Sequence, residues 1–261
     1  LGVFISCIVV IVCIVGILSS KYHVLGTDKV GQDVLYTALK GCRTGLIVGT
    51  ITTLIVTPLA LMFGVAAGYF GKRVDDAVQY IYTTLASIPA ILLIAAAMLI
   101  VQTTISKGQT VFAADRRLLW LCVVIGITRW TGLCRLVRGE TLKLREVEYV
   151  QAAHAFGVNH IAVMFKHIVP NLMHIVLISV ILRFSGLVLV EAVLAYVGIG
   201  VAPTTASWGN MINAARLEIS RDPVVWWNIL AAFIFMFGLV LPANIFGDAV
   251  RDALDPRLRT E

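Results

Sequence analysis

Charge is scarce in this sequence. Only 14% of its 261 residues are Asp, Glu, Lys or Arg, where a soluble domain averages about 25%. Hydrophobic residues make up 59%, and the mean hydropathy is +0.92. A water-soluble chain of this length has no core large enough to hide that much apolar surface, so lipid is the solvent that fits. Catalytic and metal-binding signatures are missing too. The five cysteines, Cys7, Cys13, Cys42, Cys122 and Cys134, form no C-x-x-C pair. Zinc and dithiol frameworks need such paired spacing, and these cysteines read as small apolar filler. There is no H-E-x-x-H helix and no G-x-x-x-x-G-K-[ST] loop, so ATP is not bound by a phosphate loop in this chain. The net charge of +6 raises nucleic acid as a partner. The basic residues, however, lie in short stretches between apolar runs, which is the pattern of membrane flanks, and no nucleic acid is expected.

What is present is a series of long apolar runs. A bilayer core of roughly 30 Å needs about 20 apolar residues per helix. The runs predict an all-α integral membrane protein of about six transmembrane helices, a single transmembrane domain over 1–261 with no large soluble part. The first covers 1–18, longer than a signal-peptide core, and is expected to be a span cut close on its N-terminal side, preceded by a further segment. The others cover about 45–69, 75–101, 118–137, 171–197 and 225–245. Asp33 is placed to cap a short helix over 34–40. Pro89 falls inside the third span, where a kink is tolerated if neighbours satisfy the freed carbonyl. Polar segments lie at 19–44, 102–117 and 198–224, and a charged tail at 247–261. Gly41, Gly45 and Gly49, then Gly64 and Gly68, recur at four-residue spacing. That spacing lets helices approach closely in lipid and is read as packing within the chain. Six spans place both ends on one side of the membrane. The positive-inside rule leaves that side open, because ten Lys and Arg flank the spans on the side of 138–170 and nine on the other.

Residues 138–170 form the longest stretch without a spanning run. Within it, Tyr149, Ala152, Ala153 and Phe156 fall at i, i+3, i+4 and i+7, one face of a helix. Arg145, Glu148, Gln151 and His154 fall on the other. Gly157 supplies a left-handed stop, Asn159 a cap for a second short helix, and Pro170 its end. The arrangement reads as a surface-lying interfacial helix pair, or as a docking knob with Tyr149 and Phe156 as anchors.

Four motifs in order carry a family resemblance. Glu148-Tyr-Val-Gln-Ala-Ala-His-Ala-Phe-Gly157, followed by His167-Ile-Val-Pro-Asn171, resembles the EAA loop of ATP-binding-cassette importer permeases. Gly26-Thr-Asp-Lys-Val-Gly-Gln-Asp-Val-Leu35, Ser207-Trp-Gly-Asn-Met211 and Gly247-Asp-Ala-Val-Arg-Asp-Ala-Leu-Asp-Pro-Arg-Leu258 are similar to segments of the C-type permease of dipeptide, oligopeptide and nickel importers. Gln151 stands where the loop's first Glu is expected, and the segment around Lys107 is longer than the family's usual connection.

The resemblance implies a permease subunit of a bacterial inner-membrane importer for peptides or a related solute. It implies a cytoplasmic two-helix coupling loop at 138–170, with Tyr149, Gln151, Ala152, Ala153, Phe156 and Gly157 as the ATPase-coupling residues. The tail over 247–261 would then be cytoplasmic, and 19–44 and 198–224 periplasmic. The implied partners are a second homologous permease, two ATP-binding-cassette ATPase chains that carry ATP and Mg, an extracytoplasmic substrate-binding protein, and membrane lipid. No cofactor, metal or catalytic residue is expected in this chain.

Charges inside spans are costly, at about 2.5–3.5 kcal/mol on insertion scales. Arg183 and Glu191 therefore are expected to line the translocation path or meet the second permease. Eight residues separate them, about 80° around and about 12 Å along a helix, too far for a direct ion pair. Arg129 beside Trp130 is expected to snorkel. His154, His160, His167 and His174 share no helix face and read as solvated or interfacial. A secondary transporter is the alternative, but that class shows repeated halves and intramembrane carboxylates. Here Glu191 is the one acidic residue well inside a span.

Overall fold

The computed structural model describes residues 16–19, 21–105, 113–216, 218–219 and 224–254. The expected first span, 1–18, lies almost wholly outside these residues, as do Lys107 and the end of the charged tail. Among the described residues the named elements are helices: α1 (Val34–Phe70), α2 (Lys72–Ser87), α3 (Ala90–Ile105), α4 (Ala113–Arg129), α5 (Thr131–Leu144), α6 (Glu148–Ala155), α7 (His160–Tyr196), α8 (Trp208–Arg216) and α9 (Trp227–Leu254). Three of them, α1, α7 and α9, are long and apolar enough to cross a membrane, and the bent pairs α2–α3 and α4–α5 bring the number to five if each pair is one span. The protein is an all-α membrane protein.

α1 opens as the sequence predicts. The Asp33 carboxylate accepts the Tyr36 backbone N–H at 3.0 Å. His23 Nδ1 lies 2.7 Å from the other oxygen of the same carboxylate. Burial works against the charged form of Asp33. The hydrogen bonds to His23 and Tyr36 outweigh it and hold the carboxyl below its ordinary value. The expected short helix at 34–40 and span at 45–69 are, however, one helix of 37 residues. At 1.5 Å per residue it is about 55 Å long, well beyond the hydrocarbon core. Gly41, between the two expected elements, lies inside this helix as a contact point. A Cβ there would lie 2.8 Å from the Trp208 ring, and Trp208 Nε1 donates to the Ala38 carbonyl at 3.0 Å. The packing gained outweighs the roughly 1 kcal/mol that glycine costs a helix.

Each glycine in the α1 series faces a neighbour within the chain. Gly45 faces Trp208 and Val188, Gly49 faces Phe184, Gly64 faces Val137 and the Cys134 carbonyl, and Gly68 faces Thr141 and the Arg138 carbonyl. The small-residue spacing is thus intramolecular packing.

Four further expectations need correction. The third span does not kink at Pro89; it breaks. α2 and α3 meet at 87°, because the residue before a proline avoids helical backbone and Ile88 is extended at φ −91°, ψ 132°. α2 is then an amphipathic helix that buries only Val78 and Tyr82. The fourth span is likewise two helices, α4 and α5, bent by 41° at Trp130. Pro170 does not end a short helix, since α7 runs through it from His160 to Tyr196. Met164–Ile168 widens into a π turn just before it, the kind of local adjustment that absorbs the ring and the missing N–H. The last span also continues past Ile245 to Leu254.

Among the described residues the core falls into three clusters. The largest joins α1, α2, α5, α6 and the start of α7 through Tyr69, Tyr82, Val137, Val150, Ile168 and Leu172. A second joins α1, α3, α4 and α7. The third gathers Val34, Ala38, Trp208, Met211 and Ala231 at the other end of α1. Arg117 closes the C-terminal turn of α7, its Nε donating to the Gly200 carbonyl at 2.8 Å.

Candidate functional site

α6 is eight residues long, too short to be stable by itself. Its anchorage decides what it offers to solvent. Val150 is buried, and Ala153 is half-buried against the largest core cluster. These two sit at i and i+3 and form the inner face. The expected face of Tyr149, Ala152, Ala153 and Phe156 therefore splits. Tyr149, Ala152 and Phe156 are exposed, and Ala153 turns toward the chain's own core. Phe156 is 87% exposed. Gln151 is exposed, with Nε2 donating to the Glu146 carbonyl at 3.2 Å. Gly157 takes φ +74°, and the Val158 N–H reaches the Ala153 carbonyl at 3.1 Å. That closes α6 in the left-handed fashion the sequence predicts. The Asn159 side chain then accepts the Ile161 N–H at 3.1 Å and starts α7.

Two histidines hold this turn, a role the sequence does not disclose. His154 and His160 share no helix face, yet both meet the Tyr69 hydroxyl. Nε2 of His154 and Nδ1 of His160 each lie 2.9 Å from it. The last turn of α1 is thus tied to both α6 and α7. The Asn171 amide donates to the Tyr149 hydroxyl at 2.9 Å, fixing the position of that exposed ring. Among the described residues, no three His, Cys, Asp or Glu side chains gather as a metal site would require.

A second tie lies beside the first. Arg138 of α5 makes a two-armed contact with Asp75 of α2, one arm at 2.6 Å, and Gln79 donates to the same carboxylate at 3.0 Å. Removing one member of a partly buried pair leaves an uncompensated charge, whereas removing both costs far less. Arg138→Leu is therefore expected to melt at a markedly lower temperature in detergent. Asp75→Leu combined with Arg138→Leu is expected to recover most of that loss.

Arg183 and Glu191 of α7 part company. Glu191 is 1% exposed. Its carboxylate meets the Ser207 hydroxyl, and Oε1 has no hydrogen-bond partner among the described residues. Arg183 points instead into a cavity of about 570 Å³ together with Arg129. As expected the two form no ion pair, but only Arg183 lines this cavity. Arg129, expected to snorkel, lines it too.

Residues 60–260 match the family described as binding-protein-dependent transport system inner membrane component. The chain belongs to this family. Its relatives include the oligopeptide transport system permease protein OppC of Bacillus subtilis, 32% identical over 244 residues, which span 92% of this chain and 73% of the relative. The OppC protein of Haemophilus influenzae is 34% identical over 240 residues, 91% of this chain and 71% of that protein. The glutathione transport system permease protein GsiD of Pectobacterium atrosepticum is 30% identical over 242 residues, 92% of this chain and 75% of that protein. The chain is a permease subunit of an ATP-binding-cassette importer, a multi-pass protein of the bacterial inner membrane and a transport component rather than an enzyme.

Proposed function

We propose that this permease imports peptides or a closely related solute, and that α6 is the lever through which ATPase subunits drive it. The relatives transport oligopeptides or glutathione by their names, and this is the ground for the solute class. The working assembly is this chain, a second homologous permease, two ATP-binding-cassette ATPase chains carrying ATP and Mg, and an extracytoplasmic binding protein. The observation that carries the coupling role is the exposure of Phe156 and Tyr149 on a helix that is itself locked to the core. A large apolar ring left in water on a rigid support is what an interface anchor looks like before its partner arrives. ATP closes the ATPase pair, α6 passes that motion through Tyr69 and Val150 into α1 and α7, and access to the cavity alternates. This is a population shift between two states that bind the partners differently.

The orientation follows from the same reading: α6 and the end of α9 are cytoplasmic, and residues 198–224 periplasmic. On a cysteine-free background, a cysteine at Thr205 is expected to react with an impermeant thiol reagent in intact spheroplasts, and one at Gln151 only after lysis. The opposite pattern overturns the orientation. The solute class is tested by peptide uptake in cells lacking this chain. Restoring the chain is expected to restore uptake of some members of a di- to pentapeptide panel. Uptake unaffected by its loss would count against a peptide importer.

A further inference from the structure

The cavity has a chemical character of its own. Its walls come from α1 through Thr53 and Thr57, from the Ile88–Pro89 break, from the α4–α5 junction, and from α7 through Arg183. Two guanidinium groups, Arg129 and Arg183, stand in it. Neither makes an ion pair or a hydrogen bond with any described residue. Arg183 lies against the first turn of α5, where a Cβ at Gly132 would come within 3.0 Å of Nη1, and the Arg129 charge acts upon it. The Thr57 hydroxyl in the same wall also lacks a partner among the described residues.

Arg183 is near the middle of the 28-residue stretch Val169–Tyr196. At that depth an unpaired cation is expensive, and a guanidinium does not escape by losing its proton. Two such cations side by side also repel one another. Glu191 does not answer them, since it is buried two turns further on against Ser207. Among the described residues no anion answers the two guanidinium groups.

We propose that Arg129 and Arg183 form an anion site in the membrane cavity that receives the carboxylate of the transported solute. This rests on the reading of the chain as a solute-translocating permease. Five N–H donors per guanidinium suit two-armed capture of a carboxylate. Arg183 is exposed in this chain alone, and the cavity, at about 570 Å³, falls in the roughly 300–1000 Å³ range of small-ligand pockets, more room than a single carboxylate side chain from a neighbouring subunit needs. The absence of a resident counter-charge keeps the site reversible: the solute completes it on arrival and leaves it unpaired on departure.

The test uses the transporter assembled with the subunits that co-purify with this chain, in lipid nanodiscs and without the binding protein. The probes are tri-alanine with a free C-terminal carboxylate and the same peptide as its C-terminal amide. Binding is measured by calorimetry and by the shift in melting temperature. The carboxylate peptide is expected to bind about tenfold or more tightly than the amide, the range of charge-assisted hydrogen bonds. Arg183→Gln and Arg129→Gln are each expected to erase that difference, and Arg183→Lys to retain part of it. Equal binding of the two peptides, no binding of either, or discrimination that survives in Arg183→Gln overturns the proposal. So does a loss of the second permease in Arg183→Gln with peptide discrimination intact, which assigns the arginines to a neighbouring subunit's carboxylate. ATPase co-purification is scored on the same preparations, so failure of the functional reading is seen separately from failure of the anion site.

Discussion

Phe156→Asp is expected to yield a permease that inserts and folds normally but no longer holds its ATPase. The side chain is 87% exposed, so its replacement removes almost nothing from the chain's own packing. At an interface the account is different. Losing an aromatic anchor from a well-packed pocket costs about 2–4 kcal/mol, or roughly 30- to 1000-fold in affinity, and an unpaired carboxylate in that pocket adds a desolvation cost. Co-purification of the ATPase and solute uptake are both expected to fall below a tenth of wild type, a drop on the order of the lower bound of that range, with the melting temperature unchanged. Ala153→Asp makes an instructive contrast. Ala153 packs against the core cluster, so this variant is expected to lose stability as well, and its loss of coupling would not isolate the interface. A Phe156→Asp permease that keeps its ATPase and its transport would remove α6 from the coupling role.

The second large effect concerns α1 against α5. A Cβ at Gly68 would lie 2.6 Å from the Thr141 Cβ and 2.8 Å from the Arg138 carbonyl. One at Gly64 would lie 2.8 Å from the Val137 Cβ and 2.9 Å from the Cys134 carbonyl. These neighbours are backbone and branched Cβ atoms, which have no rotamer to retreat into. The helices must separate, and overpacking costs about 1–3 kcal/mol per site or more. Separation would also pull Arg138 from Asp75 and Tyr69 from its histidines. Gly68→Leu is expected to abolish monodisperse expression in detergent, and Gly64→Ala to lower the melting temperature by several degrees, in line with about 1–2 kcal/mol on a domain of this size. Gly139 and Gly238 supply the control, because a Cβ at either meets nothing within 4 Å. Alanine there is expected to be neutral. Equal tolerance at Gly68 and Gly139 would mean that α1 and α5 are not in this close register.

These two cases mark how far the sequence can be read. Long apolar runs and polar punctuation locate most of the spanning helices, because lipid demands an internally satisfied backbone over a fixed thickness. The cap at Asp33 and the left-handed stop at Gly157 are local chemistry and are equally legible. Where a helix continues or breaks is decided by tertiary contact. Gly41 continues α1 because Trp208 packs on it, and α7 passes Pro170 because a π turn absorbs the ring. Pro89 gives a right-angled break rather than a kink. The split of the α6 face had a signal that is easy to overlook: Val150 and Ala153 have apolar spacing of their own, and the more buried pair wins the inner side. The meeting of His154 and His160 at Tyr69 has no signal in periodicity, since the three residues come from different elements. The same holds for the paired arginines, which lie 54 positions apart in the sequence.

Residue-specific photo-cross-linking in the assembled transporter tests the coupling account most directly. A photoreactive phenylalanine analogue replaces Phe156 in one variant and Thr205 in another, and irradiation is performed in native membranes. The account predicts an adduct between position 156 and an ATPase chain, with a yield that changes on adding ATP, and no ATPase adduct from position 205. An ATPase adduct from position 205, or none from position 156 while the ATPase still co-purifies, would contradict it.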